Sequence, residues 1–308
     1  MNLLGDLSII IKGAGEMASG IAHRLYSANL TRICMTETPA PLAVRRTVSF
    51  SEAVYDGRAQ VEGVFAELSP KIGDIDACWS RGRIAVLVDP DWECIHGLNP
   101  DVVIDAILAK RNLGTNKSDA PLVIGIGPGF TAPNDVHVAI ESNRGHHLGR
   151  VICAGAPEPN TGIPGQIGGF GLERLLRAPH GGIVRHETFI GATVKKGDVV
   201  LRVDGSPVTA AIDGIVRGLI REVHVTSGTK LGDIDPRGDI SYCHTISEKA
   251  RAIAGGVLEA VTGWGSRRIV SMEEGYEQTY KSKRYHRYLH ENACDPHREW
   301  AAVSIGNR

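Results

Sequence analysis

Apolar residues gather in short continuous runs through the first half of the chain. Ile9-Ile10-Ile11 is the first. It predicts a buried strand that ends at a glycine turn, Gly13-Ala14-Gly15. Met17, Ile21 and Leu25 then recur at helical spacing, and Ile33 to Met35 predicts a second strand closing on Thr36-Glu37. Further runs cover Ala85 to Val88, Val102 to Leu108 and Leu122 to Ile126. Short unbroken runs spaced by loops and helices predict a parallel sheet covered on both faces. The alternation from Gln60 to Leu68 suggests a short strand or an irregular segment.

From Ile183 to about Asp239 the texture changes to strand-length pieces between glycine turns. That segment resembles the barrel-sandwich hybrid of biotinyl and lipoyl carriers. No lysine occurs between Lys196 and Lys230, and the turn Asp204-Gly205-Ser206-Pro207 lacks one, so a packing module is expected rather than a swinging arm. Ser247 to Val261 reads as a helix capped by Ser247, followed by a polar tail.

The first thirty residues fit the G-x-G-x-x-[G/A] dinucleotide fingerprint, with Gly13, Gly15 and Ala18 in the small-residue places. Gly13 frees the turn, Gly15 lets a phosphate near the backbone, and Ala18 lets the helix lie close to the sheet. The helix N-terminus offers unpaired N–H groups to an anion. Glu37 stands where an acid accepts from ribose hydroxyls. A tight turn with nothing bound is the alternative. Glu16 suits the helix dipole but repels a phosphate, so either the ligand sits to one side or Glu16 has its own role.

The expectation is therefore an α/β protein. A Rossmann-like, doubly wound parallel sheet would span 1–178 and a small β-rich, barrel-sandwich-type domain 179–242. A C-terminal helix and polar tail would span 243–308.

In such sheets ligands collect at the strand carboxyl ends. Arg45 and Arg46, soon after Glu37, are placed to meet a ribose phosphate, unless they are a solvated pair. The loop Gly127-Pro128-Gly129 follows another strand and reads as an anion cradle or a rigid turn. Past it, Asp135, His137, Ala139 and Glu141 fall on one strand face, with Arg144 and His146 beyond. His137, Arg144 and His146 are expected to close an anion pocket with the Gly127–Gly129 loop. An exposed polar face is the alternative.

The charge is nearly balanced, 34 Lys and Arg against 35 Asp and Glu, which argues against nucleic acid as a partner. The six cysteines form no C-x-x-C, so neither a zinc knuckle nor an iron–sulfur site is expected. No metal ligands are assigned, although Asp135, His137 and Glu141 on one face could take a divalent ion in place of an anion, in a spacing that matches no metal signature. No signal peptide and no membrane span are expected, which points to a cytoplasmic protein.

The runs IIIKGAGEMASGIAHRL, PLAVRRTVSFSEAVY, VLVDP, VVIDAILAKRNLGT, IGIGPGF, NRGHHLGRVI, PNTGIPG and KLGDIDPRGD resemble the YqeB-type accessory proteins of selenium-dependent molybdenum hydroxylase systems. The resemblance covers about Ser8 to Val261. That family is similar in role to the XdhC/CoxI proteins, which help load mature cofactor. The resemblance implies a Rossmann-like fold, a maturation role and a client molybdenum hydroxylase. The ligand would be the molybdenum cofactor, a phosphorylated pterin often carried as a dinucleotide, or NAD(P). An NAD(P)-dependent oxidoreductase and a non-catalytic adaptor remain the alternatives.

Overall fold

The computed structural model describes residues 4–274, with side chains described to 266. Nine strands build one sheet. They are β1 (Ile9–Lys12), β2 (Ile33–Glu37), β3 (Arg58–Val61), β4 (Val64–Ser69), β5 (Ile84–Val88), β6 (Val102–Asp105), β7 (Leu122–Ile126), β8 (Val138–Ile140) and β9 (Val151–Ile152). Their spatial order is β3-β4-β5-β2-β1-β6-β7-β8-β9. The strands from β4 through β8 pair in parallel, and both edges are antiparallel, β3 with β4 and β8 with β9.

This corrects the expected doubly wound parallel sheet. The alternating stretch at 60–68 is an antiparallel hairpin. Glu62 and Gly63 take φ of 43° and 87°, the two positive values that a tight hairpin turn of matching twist needs. The crossovers from β6 to β7 and from β7 to β8 contain no α-helix. Their sequences, Lys110 to Asp119 and Gly127 to His137, carry too many turn residues and no apolar helical stripe.

Cover on the two faces is unequal. On one face lie α1 (Glu16–Ser27) and α5 (Glu248–Glu274), which share a core with Ile9, Ile11 and Ile104. A single turn, α2 (Ala53–Asp56), precedes β3. Among the described residues the other face receives only two short helices, α3 (Ile75–Ser80) and α4 (Cys94–Leu98), which contribute Cys78 and Cys94, together with loop residues such as Phe130 around Ile10 and Val123. Gly20 makes the α1–α5 crossing close, since a Cβ there would stand 2.9 Å from the Ala250 Cβ.

The second correction concerns the β-rich part. It holds β10 (Leu175–Arg177), β11 (Gly182–His186), β12 (Thr193–Val194), β13 (Val199–Val203), β14 (Ser206–Thr209), β15 (Gly214–Leu219), β16 (His224–Val225) and β17 (Lys230–Asp235). These form two four-stranded antiparallel sheets, β10-β17-β15-β12 and β14-β13-β11-β16, around Val184, Val200, Leu219 and Leu231. The barrel-sandwich expectation is thus replaced by two antiparallel sheets with their own core. Glycine-punctuated alternation specifies strands and turns, while the partner of each strand depends on packing between sheets.

Helix α5 begins just after Ser247, whose Oγ accepts from the Ala250 amide at 3.3 Å, and returns to the first sheet's core. The expected polar tail beyond residue 274 lies outside the described residues.

Candidate functional site

A cavity of about 440 Å³ opens at the carboxyl ends of β1, β2, β5 and β6. Gly13, Gly15, Glu16 and Glu37 all line it, so four of the residues singled out in the sequence meet there. Gly13 has φ of 91°, and its amide donates to the Thr36 carbonyl at 2.9 Å, which turns the chain sharply off β1. Gly15 is the N-cap of α1 without any side-chain cap, and a Cβ there would meet nothing within 4 Å. Ala18, on α1, is buried at 1% exposure in the core shared with the sheet and packs rather than lines the cavity.

Glu37 does more than wait for a ribose. Its Oε1 accepts from the Ala14 amide and its Oε2 from the Thr38 amide, each at 2.9 Å. Two of its lone pairs are used, and each oxygen can still accept once more. Beside it, Thr36 Oγ1 and Ser51 Oγ are buried without a hydrogen-bond partner, and both residues line the cavity. A buried hydroxyl without a partner is uncommon and marks a place for an absent polar group.

Asp89 closes the far side, with its carboxylate held by the Glu93 and Cys94 amides at 3.0 and 2.8 Å. Trp92 and Leu108 line the cavity with φ of 59° and 57°. Such values are costly for bulky residues and concentrate at functional sites.

Behind Trp92 lies a buried charge that the sequence reading missed. Lys12 is 1% exposed, and its Nζ sits 4.1 Å from the Trp92 ring centroid. It donates to Thr115 Oγ1 at 2.8 Å and pairs with Asp119 at 3.0 Å. Thr115 in turn donates to Asp105 Oδ2 at 2.7 Å. Burial raises the Asp105 carboxyl above its ordinary value, although the Thr115 and Ile107 hydrogen bonds and Lys12 oppose the shift. A signal was present: Lys12 and Asp105 are charges ending otherwise apolar runs.

Other expectations are corrected. Arg45 is 4% exposed and occupied: Nη1 donates to Glu16 Oε1 at 2.7 Å, and Nη2 to the carbonyls of Tyr242 and, at 2.9 Å, Thr245. Arg46 Nε donates to the Leu219 carbonyl at 2.8 Å. Both clamp distant segments, and neither lines the cavity where a ribose phosphate would need them.

Gly127, Gly129, His137, Arg144 and His146 do not line it either. Gly127 takes φ of 79° against Ser142, and Gly129 takes φ of 112° against the Arg111 backbone, so both serve close packing. His137 Nδ1 accepts from the Val123 amide at 3.0 Å, and burial lowers its pKa, which keeps the ring a neutral acceptor. Arg144 pairs with Glu248, and His146 stacks edge-on with His147 at 5.1 Å. These five residues are held by contacts of their own outside the cavity.

Glu16 has the partner its position at the helix start implied. Burial opposes its ionisation. Arg45, a hydrogen bond with Ser247 and the more distant Arg217 outweigh that and hold the carboxyl below its ordinary value.

Among the described residues no group of three or more His, Cys, Asp or Glu is placed to hold a metal ion, and no helix is long and apolar enough to cross a membrane. Fold and site together define a mixed-sheet protein with a carboxylate-rimmed cavity at the strand carboxyl ends.

No family model matches the chain. It is 46% identical over 258 residues to "Uncharacterized protein YqeB" of Escherichia coli (strain K12), across 83% of this chain and 48% of that protein. The identity supports the YqeB-type resemblance and does not reach the accessory role. The chain spans about half the length of this curated relative.

Among solved structures, "TcdA (CsdL)" aligns at a TM-score of 0.32 with 13% identity, over 86% of this chain and 90% of that one. The ectoine utilization protein EutE (DoeB) from Ruegeria pomeroyi, with product bound, aligns at 0.24 with 9% identity, over 74% and 84%. An aspartoacylase family protein from Mesorhizobium loti aligns at 0.25 with 10% identity, over 74% and 84%. Likenesses this weak carry no argument.

Proposed function

We propose that the protein binds a phosphorylated pterin or nucleotide, with its ring system in the cavity, and serves in the maturation of a selenium-dependent molybdenum hydroxylase. The observation behind the binding half is the cavity itself. An uncapped helix start, the Glu37 carboxylate and two unpartnered hydroxyls, Thr36 and Ser51, converge on an otherwise apolar space. A flat heteroaromatic ring suits the apolar walls, and hydroxyl or ring N–H groups suit the acceptors. The maturation half rests on the YqeB-type resemblance of the sequence.

An NAD(P)-dependent oxidoreductase is the second reading. Among the described residues no histidine, lysine, arginine or tyrosine lines the cavity, so neither a proton donor for a carbonyl nor a cation for a 2′-phosphate is at hand. The adaptor reading leaves the two hydroxyls without a purpose.

Calorimetric titration with molybdenum cofactor, adenosine nucleotides, NADH and NADPH separates these readings. Binding of the pterin or an adenosine nucleotide is the expected result. Hydride transfer from a bound nicotinamide would establish the oxidoreductase. Full hydroxylase activation by Gly15→Asp, whose side chain reaches into the open space beside Gly15, would establish the adaptor.

A further inference from the structure

Glu37 and Asp89 stand side by side at the carboxyl ends of β2 and β5. Val88 is the register partner of Glu37, and the Asp89 amide donates to the Glu37 carbonyl at 2.9 Å. Both residues line the cavity. Among the described residues neither carboxylate meets a cation. Their four oxygens accept from the amides of Ala14, Thr38, Glu93 and Cys94. The third acid of the lining, Glu16, is matched at 2.7 Å by Arg45, which does not line the cavity itself.

Two uncompensated carboxylates beside one space fix the sign of what belongs there. Lone pairs and negative charge are repelled from it, and N–H or O–H donors are drawn in. The two acids differ in what they have left to offer. Asp89 is 9% exposed, and its short side chain serves the start of α4. Glu37 is half-buried and takes one backbone amide on each oxygen, both at 2.9 Å. Each oxygen keeps a lone pair, and the two amides hold the carboxylate in one orientation. Glu37 therefore presents two parallel acceptors.

The match for two parallel acceptors is two parallel N–H donors, the pairing that an arginine fork makes with a carboxylate. In a flat ring system they are supplied by a ring N–H beside an exocyclic amino group. Guanine and pterin both carry that edge. Adenine places a ring lone pair beside its amino group and would set it against a carboxylate oxygen. Nicotinamide has no ring N–H. Trp92 and Leu108 give such a ring an apolar wall. Lys12 Nζ lies 4.1 Å from the Trp92 ring centroid and is 1% exposed, so it steadies the indole without reaching a ligand.

We propose that the cavity is selective for a heterocycle with a guanine-type edge, read by the Glu37 carboxylate through two parallel hydrogen bonds. This rests on the reading of the cavity given above and narrows it, placing guanine and pterin rings ahead of adenine and nicotinamide.

Calorimetric titration of the full chain with guanosine, inosine and adenosine tests the proposal. The three share one ribose, so a Glu37 that reads only ribose hydroxyls would bind them alike. Guanosine should bind most tightly. Inosine keeps the ring N–H and lacks the amino group, and it should bind about tenfold more weakly, the scale of one hydrogen bond to a charged group. Adenosine should be weaker again, because a lone pair replaces the ring N–H. Pterin, which has the edge and no ribose, should compete with guanosine. Glu37→Gln sets an amide donor beside an acceptor and should abolish the preference for guanosine over adenosine. That preference is a ratio read on folded protein, so a lowered stability does not imitate it; if the variant does not fold, the nucleoside series on the native chain decides. Equal affinity for the three nucleosides would overturn the proposal and leave the cavity reading standing. A guanosine preference that survives Glu37→Gln would overturn it as well. If neither the nucleosides nor pterin bind, the cavity reading fails and the proposal falls with it.

Discussion

Glu37 Oε1 accepts the backbone amide of Ala14 at 2.9 Å. The acid that ends β2 thereby fastens the glycine loop that follows β1. Ala14 is fully buried, and among the described residues Glu37 is the acceptor its amide has. Glu37→Ala should cost about 1–3 kcal/mol, the penalty of an orphaned buried donor. It should also abolish nucleoside binding. Urea unfolding and calorimetry check both, and a variant with native stability would refute the fastening role.

Thr36→Val should behave in the opposite way. The Thr36 hydroxyl is buried without a partner, so an isosteric methyl removes an unmet group rather than a bond. Stability should hold or rise by up to about 1 kcal/mol, while affinity for the cavity's ligand falls. A loss of stability would mean that the hydroxyl is already satisfied.

Arg45→Ala should be among the most damaging single changes, on the order of 3–5 kcal/mol, because it strands an enclosed carboxylate. Its pH signature gives the sharper test. Glu16 titrates below its ordinary value of 4.5 in the folded protein. Its contribution is therefore present above that pH and lost as pH falls through the lower folded value. Without Arg45, burial dominates and the folded pKa rises above 4.5. The variant should then lose stability as pH climbs from about 4 towards neutrality. Parallel native and variant pH profiles would contradict this.

Lys12→Met removes the cation shared by Thr115, Asp119 and the Trp92 ring. The expected cost is about 3–5 kcal/mol. Asp105 already has a raised carboxyl pKa, and loss of Lys12 raises it further. A raised acid is most favourable when protonated, so the deficit should grow with rising pH. Thermal melts between pH 4 and 8 measure the slope.

Gly20→Ala should destabilise by about 1–3 kcal/mol by pushing α1 from α5. Ala250→Gly on the facing helix should recover part of that loss, since the added Cβ meets the Ala250 Cβ. A double-mutant cycle with no coupling would show that the helices do not cross as described.

Read from residues alone, the chain yields what neighbours in sequence decide. Apolar runs at Ile9 and Ile33, positive φ at Gly13, the open start of α1 at Gly15 and the acid at Glu37 depend on side-chain period and backbone sterics within thirty residues. These account for the part of the cavity that could be anticipated.

Sheet architecture could not be anticipated in the same way. An apolar run reads alike in a doubly wound sheet and in a mixed one, and the Glu62-Gly63 turn and the helix-free crossovers settled the matter. The fates of the charged residues were equally remote. Arg45 meets Tyr242 and Thr245, Arg46 meets Leu219, and Lys12 meets Thr115 and Asp119, each more than a hundred positions away. A guanidinium is a phosphate ligand only while its donors are free. Whether they are free depends on which carbonyls and carboxylates the folded chain brings beside it.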